Sequence, residues 1–275
     1  MNDLQNFFEQ RTTPDINKWS NYFDLYEHYF CKYRNRPVHF LEIGVDRGGS
    51  SEMWKTYFGK EAVVVGIDIV PECKKFENPA ENRFVEIGDQ SDPVFLQKLI
   101  DKYEYVDVIL DDGSHIFEHQ IKSLEVLWNA LSDNGIYMIE DVHTSYAPGF
   151  NGGAGESQTF IEYSKKIVDS INSWHFLSQP NKHFGNSVYG LHFHSGVVVL
   201  EKRSIDIPVT FRSGEKTFRN AIEEFKYTHT YISSSSFLKF VSWIIRYIFY
   251  SIAGNRNKKS LFKKHLKHWK LLKKN

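Results

Sequence analysis

Short apolar runs recur along the chain at residues 38–43, 62–69, 83–87, 105–110 and 136–139, with helix-length stretches between them. Each is rich in β-branched and aliphatic residues and carries glycine, aspartate or glutamate at or just after its end, the pattern of buried strands that end in turns. Their alternation with helical spacing predicts parallel βαβ units, and so a sheet covered on both faces. Residues 174–177 and 191–200 are expected to supply the last two strands. Ahead of the first run, residues 1–36 carry Trp19, Tyr22, Phe23, Tyr26, Tyr29 and Phe30, which predicts an N-terminal helical segment whose aromatics pack on the core.

The residues after each run carry the chemistry, because ligands of open α/β sheets bind at the carboxyl ends of the strands. The first run leads into Gly44-Val45-Asp46-Arg47-Gly48-Gly49. Glycines spaced G-x-x-x-G-G allow a tight turn and close approach to a ligand, but they depart from the G-x-G-x-x-G of a dinucleotide site and argue against NAD. The second run ends at Asp68, where an acidic side chain can accept hydrogen bonds from ribose hydroxyls. The third delivers Gly88-Asp89-Gln90-Ser91-Asp92, the fourth Asp111-Asp112-Gly113-Ser114-His115, and the fifth Glu140-Asp141-Val142-His143. Aspartate, serine and glycine after a strand are also ordinary turn and helix-capping residues. The return of carboxylates and a histidine at the next strand end makes a functional site the better reading. Acidic oxygens beside an imidazole can hold a hard divalent cation and present a base.

Taken together, Glu42-x-Gly44-x3-Gly48, Asp68, Gly88-Asp89-Gln90-Ser91-Asp92, the Asp-Asp-Gly-Ser-His stretch and Ile139-Glu140-Asp141-x-His143-Thr144-Ser145-Tyr146 resemble the class I S-adenosylmethionine-dependent methyltransferases. The narrower resemblance is to metal-dependent macrolide-sugar O-methyltransferases of the mycinamicin and macrocin type, related to the cephalosporin-hydroxylase-like group. It covers about residues 37–203. It implies a Rossmann-like seven-stranded α/β sheet with flanking helices, and methyl transfer to a sugar hydroxyl. By the same resemblance Glu42, Gly44 and Gly48 would cradle the methionine part of S-adenosylmethionine, and Asp68 would hold the ribose. Asp89 and Gln90 would lie near the adenine, and Asp111 would belong to the cofactor site. Asp112, Glu140 and Asp141 would hold magnesium or another hard divalent cation, and His115 would be the general base. His143 is the rival base. The glycine-bearing loop 146–155 is placed to form a lid.

A chain of 275 residues suits one large domain with extensions. Cys31 and Cys73 show no disulfide or zinc spacing, and the first ten residues lack the basic leader and apolar core of a secretory signal, so a cytoplasmic protein is expected. The neutral total conceals a division: residues 225–275 hold twelve of the thirty-four Lys and Arg residues and none of the thirty-four acids. Domains are therefore expected at 1–36 (helical segment), 37–203 (methyltransferase), 204–232 (connection) and 233–275 (basic amphipathic tail). Within the tail, 237–253 sets Lys239, Ser242 and Arg246 on a narrow stripe against Trp, Ile and Phe, and 262–274 repeats the pattern with lysines. A basic helix with an aromatic face suits an anionic membrane surface, so residues 237–274 are expected to bind one at the inner face. The competing expectation is packing on the body or in a homo-oligomer. Nucleic acid is not an expected partner, because the aromatics gather into one apolar face instead of alternating along a basic groove. The leading acceptor is a sugar hydroxyl of a surface glycan or glycolipid. The alternatives are a soluble natural-product or catechol-like hydroxyl, with the tail serving oligomerisation, and a non-catalytic membrane adaptor that has kept the fold.

Overall fold

The computed structural model describes residues 3–172, 184, 186–206, 208, 209, 211, 213 and 214. The chain divides into two compact units, residues 1–173 with 180–206, and residues 174–179 with 207–275. The described helices and strands all belong to the first unit. The tail at 233–275 and the strand expected at 174–177 lie outside the described residues.

The first unit runs α1 (Asp3–Gln10), α2 (Tyr22–Phe30), β1 (His39–Ile43), α3 (Gly49–Phe58), β2 (Val63–Asp68), β3 (Arg83–Ile87), α4 (Pro93–Tyr103), β4 (Val106–Asp111), α5 (Phe117–Leu127), β5 (Leu131–Ile139), α6 (Phe160–Ile171), β6 (Val188–His194) and β7 (Val197–Lys202). The strands form one sheet in the order β3-β2-β1-β4-β5-β7-β6. The pairs from β3 to β5 are parallel, while β7 runs antiparallel to both β5 and β6.

Both faces of the sheet are buried, and strand alternation sorts the side chains between them. Phe40, Val64, Val108, Leu110, Ile136, Met138, Val197 and Val199 face α1, α2 and α3, packing on Leu4, Phe23, Phe30, Trp54 and Phe58. Leu41, Ile43, Ile67, Ile109, Ile139, Val198 and Leu200 face α4, α5 and α6, packing on Leu96, Leu124 and Ile167. The N-terminal helices are thus one of the covering layers of the sheet and share its compact unit.

The stretch 191–200, expected as one strand, is a hairpin. Ser195 and Gly196 turn the chain between paired His194 and Val197, with Gly196 at a φ of 78°. A side chain at Gly196 would strike the Tyr22 hydroxyl, its ideal Cβ lying 2.4 Å from that oxygen. The turn is hidden in the sequence because apolar and aromatic residues flank it on both sides.

Candidate active site

Sheet register brings the motifs together. Ile43 pairs with Asp111, and Asp111 with Ile139, so the next residues, Gly44, Asp112 and Glu140, leave the sheet side by side. Backbone bonds continue the alignment one step past the strands: Asp112 N–H donates to Ile43 O and Glu140 N–H to Asp111 O, both at 2.9 Å. Above this edge lies a cavity of about 870 Å³.

On one side the cavity is lined by Gly44, Asp46, Asp68, Gly88, Asp89 and Gln90. Gly44 has a φ of 95°, and a Cβ there would sit 2.2 Å from Asp112 O, so only glycine lets the two strand ends approach this closely. Asp68 accepts the backbone N–H groups of Val45 and Asp46 on Oδ2 and that of Val70 on Oδ1, each at 2.9 Å, which draws the first turn against the second. Asp89 accepts the Ser91 N–H at 2.7 Å, a bond that holds its carboxyl below the usual range. Gln90 is a cross-strut: its amide donates to Asp111 and its oxygen accepts the Ser114 N–H at 2.8 Å.

Three residues assigned to the cofactor by resemblance do not line the cavity. Glu42 shares the α3 face of β1 with Phe40, and its carboxylate is bound by Ser50 Oγ at 2.7 Å and Trp54 Nε1 at 2.9 Å. Burial pushes it up to about 7 against the pull of nearby Lys18. Asp111 points to the opposite layer, where Ser123 and Gln90 bind it and burial raises its pKa. Gly48, at a φ of 79°, precedes α3, and a Cβ there would strike the Phe76 ring. Glu42 and Asp111 sit behind the wall, because alternate residues along a strand face the covering helices and not the ligand edge.

The other side of the cavity is acidic. One donor atom each from Asp112, His115 and Asp141 lies within 4.8 Å of the other two. His115 Nε2 is 3.7 Å from Asp141 Oδ2, and His143 Nδ1 is 3.8 Å from Asp141 Oδ1. His115 is the more enclosed of the two, and its Nδ1 is buried with no hydrogen-bond partner among the described residues. His115 and Asp141 both hold left-handed backbone, at φ values of 57° and 52°. Such conformations cost non-glycine residues of order 1–3 kcal/mol and are retained where the surrounding structure imposes them.

Glu140, expected beside Asp112 and Asp141, is there but buried and already engaged. The Tyr26 hydroxyl binds Oε1, and Lys18 Nζ lies 3.1 Å from Oε2. Lys18 also bridges to Asp112 Oδ2, and the Tyr22 hydroxyl donates to Asp141 Oδ1 at 2.6 Å. Burial raises the pKa of Glu140 although Lys18 opposes it. For Lys18, burial works to lower the pKa, but Asp112 and Glu140 outweigh it and hold the ammonium charged. The N-terminal segment, read in the sequence as core packing, therefore builds part of the site through Lys18, Tyr22 and Tyr26. Trp19 completes that wall: it is 57% exposed and meets His143 edge-on, while Phe150 of the 146–155 loop lines the same cavity.

No protein-family profile matches the chain. A rhamnosyl-tetracenomycin-C 2'-O-methyltransferase of Streptomyces olivaceus is 34% identical over 200 residues, 68% of this chain and 52% of that protein. The mycinamicin VI 2''-O-methyltransferase of Micromonospora griseorubida is 33% identical over 213 residues, 73% of this chain and 52% of its own. The solved structure of MycE methyltransferase with Mg, SAH and mycinamycin VI superposes with a TM-score of 0.67 at 31% identity, over 74% of this chain and 54% of MycE. Over 68–74% of its length the chain is similar to these O-methyltransferases. It has the class I S-adenosylmethionine-dependent methyltransferase fold, and it spans about half the length of the curated relatives it matches.

Proposed function

We propose that this protein is an S-adenosylmethionine- and divalent-metal-dependent O-methyltransferase that acts on a sugar hydroxyl. The observation that carries the reading is the convergence of Asp112, His115 and Asp141 at one end of a cavity whose other end is the Gly44–Asp68–Asp89 wall. The residues fit both groups. Gly44 lets the cavity wall close tightly against Asp112, and hard carboxylate oxygens converge with an imidazole whose Nε2 lies 3.7 Å from Asp141 and whose buried Nδ1 has no hydrogen-bond partner among the described residues. Asp112 and Asp141, with Glu140 as the third carboxylate, would hold the cation, and Gly44, Asp68 and Asp89 would face the methyl donor. When bound, the two groups supply an electrophilic methyl and the Lewis acidity that makes a sugar hydroxyl a better nucleophile.

The chain's own residues do the rest. His115 is the base, with Nε2 placed to take the hydroxyl proton beside Asp141, whose charge favours the imidazolium that forms. Tyr22 and Tyr26 fix Asp141 and Glu140 by hydrogen bonds, so the carboxylates need little rearrangement during the reaction. Lys18, Trp19 and Phe150 wall off the acceptor side, and alignment of the hydroxyl there supplies much of the acceleration.

The acceptor we favour is a sugar of a surface glycan or glycolipid, reached at the cytoplasmic face of a membrane through the basic residues 237–274. A soluble glycosylated natural product is the second reading, favoured by the activities for which the relatives are named. One experiment tests both: methyl transfer from isotopically labelled donor to whole-cell glycan and glycolipid extracts, beside a panel of rhamnosylated polyketides. Label in the extract alone supports the first acceptor, label in the panel alone supports the second, and none in either contradicts the activity. If a chain truncated near 233 still sediments with anionic vesicles as the full chain does, the membrane part of the reading fails.

A further inference from the structure

The acidic centre has a cation of its own. Lys18 Nζ bridges Asp112 Oδ2 and Glu140 Oε2, and its side chain is only 2% exposed. This is not a surface lysine folded inward at random. The extended stretch that carries it is pinned at both ends: Arg11 binds Pro14 O at 2.8 Å and Glu52 at 2.5 Å, Asp15 pairs with Arg47 at 2.7 Å, and Asn21 donates to Ser195 O at 3.1 Å.

The ammonium contacts Asp112 and Glu140, while the donor atoms that lie within 4.8 Å of one another come from Asp112, His115 and Asp141, so Asp112 is common to both sets. Asp112 and Glu140, both proposed to hold the divalent ion, are therefore already paired with a fixed monovalent charge. Buried carboxylates left without counter-charge repel one another and are costly to desolvate. An ammonium among them keeps Asp112 and Glu140 aligned when no metal is bound. The same charge repels a divalent ion that arrives a few ångströms away, in a region where screening by water is weak.

We propose that Lys18 is a positioning residue that sets the metal affinity of the acidic centre, holding its carboxylates in place when empty and weakening the grip on the divalent cation when filled. The proposal rests on the metal reading above. Its consequence is a centre that binds magnesium loosely enough to exchange it.

The test needs neither acceptor nor activity. Wild type, Lys18→Met, Lys18→Gln, Lys18→Arg and Asp141→Asn are titrated with Mn2+, free ion is followed by electron paramagnetic resonance, and circular dichroism monitors folding. Lys18→Met and Lys18→Gln are expected to bind at least about tenfold more tightly than wild type, and Lys18→Arg within about threefold of it. Lys18→Gln keeps hydrogen-bond donors between the carboxylates, so it decides the matter if Lys18→Met is unfolded without metal. Recovery of a cooperative melting transition by either variant on adding Mg2+ also supports the role. Folded neutral variants that bind Mn2+ no more tightly than wild type overturn it, as do variants that no divalent ion restores. If wild type binds no more Mn2+ than Asp141→Asn does, the metal reading itself has failed, an outcome distinct from failure of Lys18 alone.

Discussion

The two ends of the cavity are built in different ways. The end proposed to face the methyl donor is made of turns that bind their own backbone or a neighbouring turn. Asp68 holds Val45, Asp46 and Val70, and Asp89 holds Ser91. The acidic end is assembled across the chain: Lys18 meets Asp112 and Glu140, Tyr22 meets Asp141 and Tyr26 meets Glu140, over 94 to 122 residues of sequence. The first end is thus held mainly by turns and by neighbouring strand ends. The acidic end depends on a covering layer that also belongs to the hydrophobic core, so substitutions there are expected to affect folding as well as the proposed catalysis.

Substitutions at the two ends should separate these roles. The largest effect is expected from Asp141→Ala, which removes a proposed metal donor, the partner of His115 and the acceptor of the Tyr22 hydroxyl together. Turnover should fall beyond the ~10⁴-fold upper range of a lost general base, while calorimetric affinity for S-adenosylhomocysteine stays within about threefold. A parallel loss of that affinity would show that the ends are not separable. His115→Ala comes next, with turnover lower by about 10² to 10⁴ and little change in acceptor KM. An effect confined to KM would make His115 a binding residue.

Gly44→Val is the converse at the cradle. Its Cβ would strike Asp112 O and its backbone would be held at a φ of 95°, so S-adenosylhomocysteine affinity should drop by about 10²-fold or more, with a lower melting temperature. Unchanged affinity would remove this turn from the cofactor site.

The smallest effect concerns Glu42. Burial holds it up to about 7, above its unfolded value near 4.3. Between those values the folded chain binds more protons than the unfolded one, so stability falls as pH rises through the window and levels off above it. Chemical denaturation at pH 5 and pH 8 should show wild type losing about 1–3 kcal/mol more than Glu42→Gln over that interval. Equal losses would mean that the carboxylate is solvated and not buried.

The sequence was most legible where structure is local. Strands β1 to β5 announced themselves as β-branched runs closed by turn residues, and carboxylates next to those turns had to reach the ligand edge. That Glu42 and Asp111 stand behind the cavity wall was not legible, because a motif records residue identity, whereas strand alternation decides that one faces Trp54 and the other Ser123. The β6–β7 hairpin was concealed because its turn interrupts a run that stays apolar on both sides. Lys18 gave no signal, since a lysine in a stretch without helical periodicity looks solvated. Tyr22 and Tyr26 looked like core residues, which their rings are, while their hydroxyls serve the site.

The central claim is that the carboxylates at the ends of β4 and β5 hold a divalent cation required for methyl transfer at a cavity that binds the methyl donor independently. Transfer of labelled methyl to whichever acceptor pool accepts it, measured alongside S-adenosylhomocysteine affinity in excess chelator and again after magnesium is restored, tests this most directly. Loss of transfer in chelator with affinity kept, and recovery with magnesium, is the predicted result; full transfer in excess chelator would contradict it.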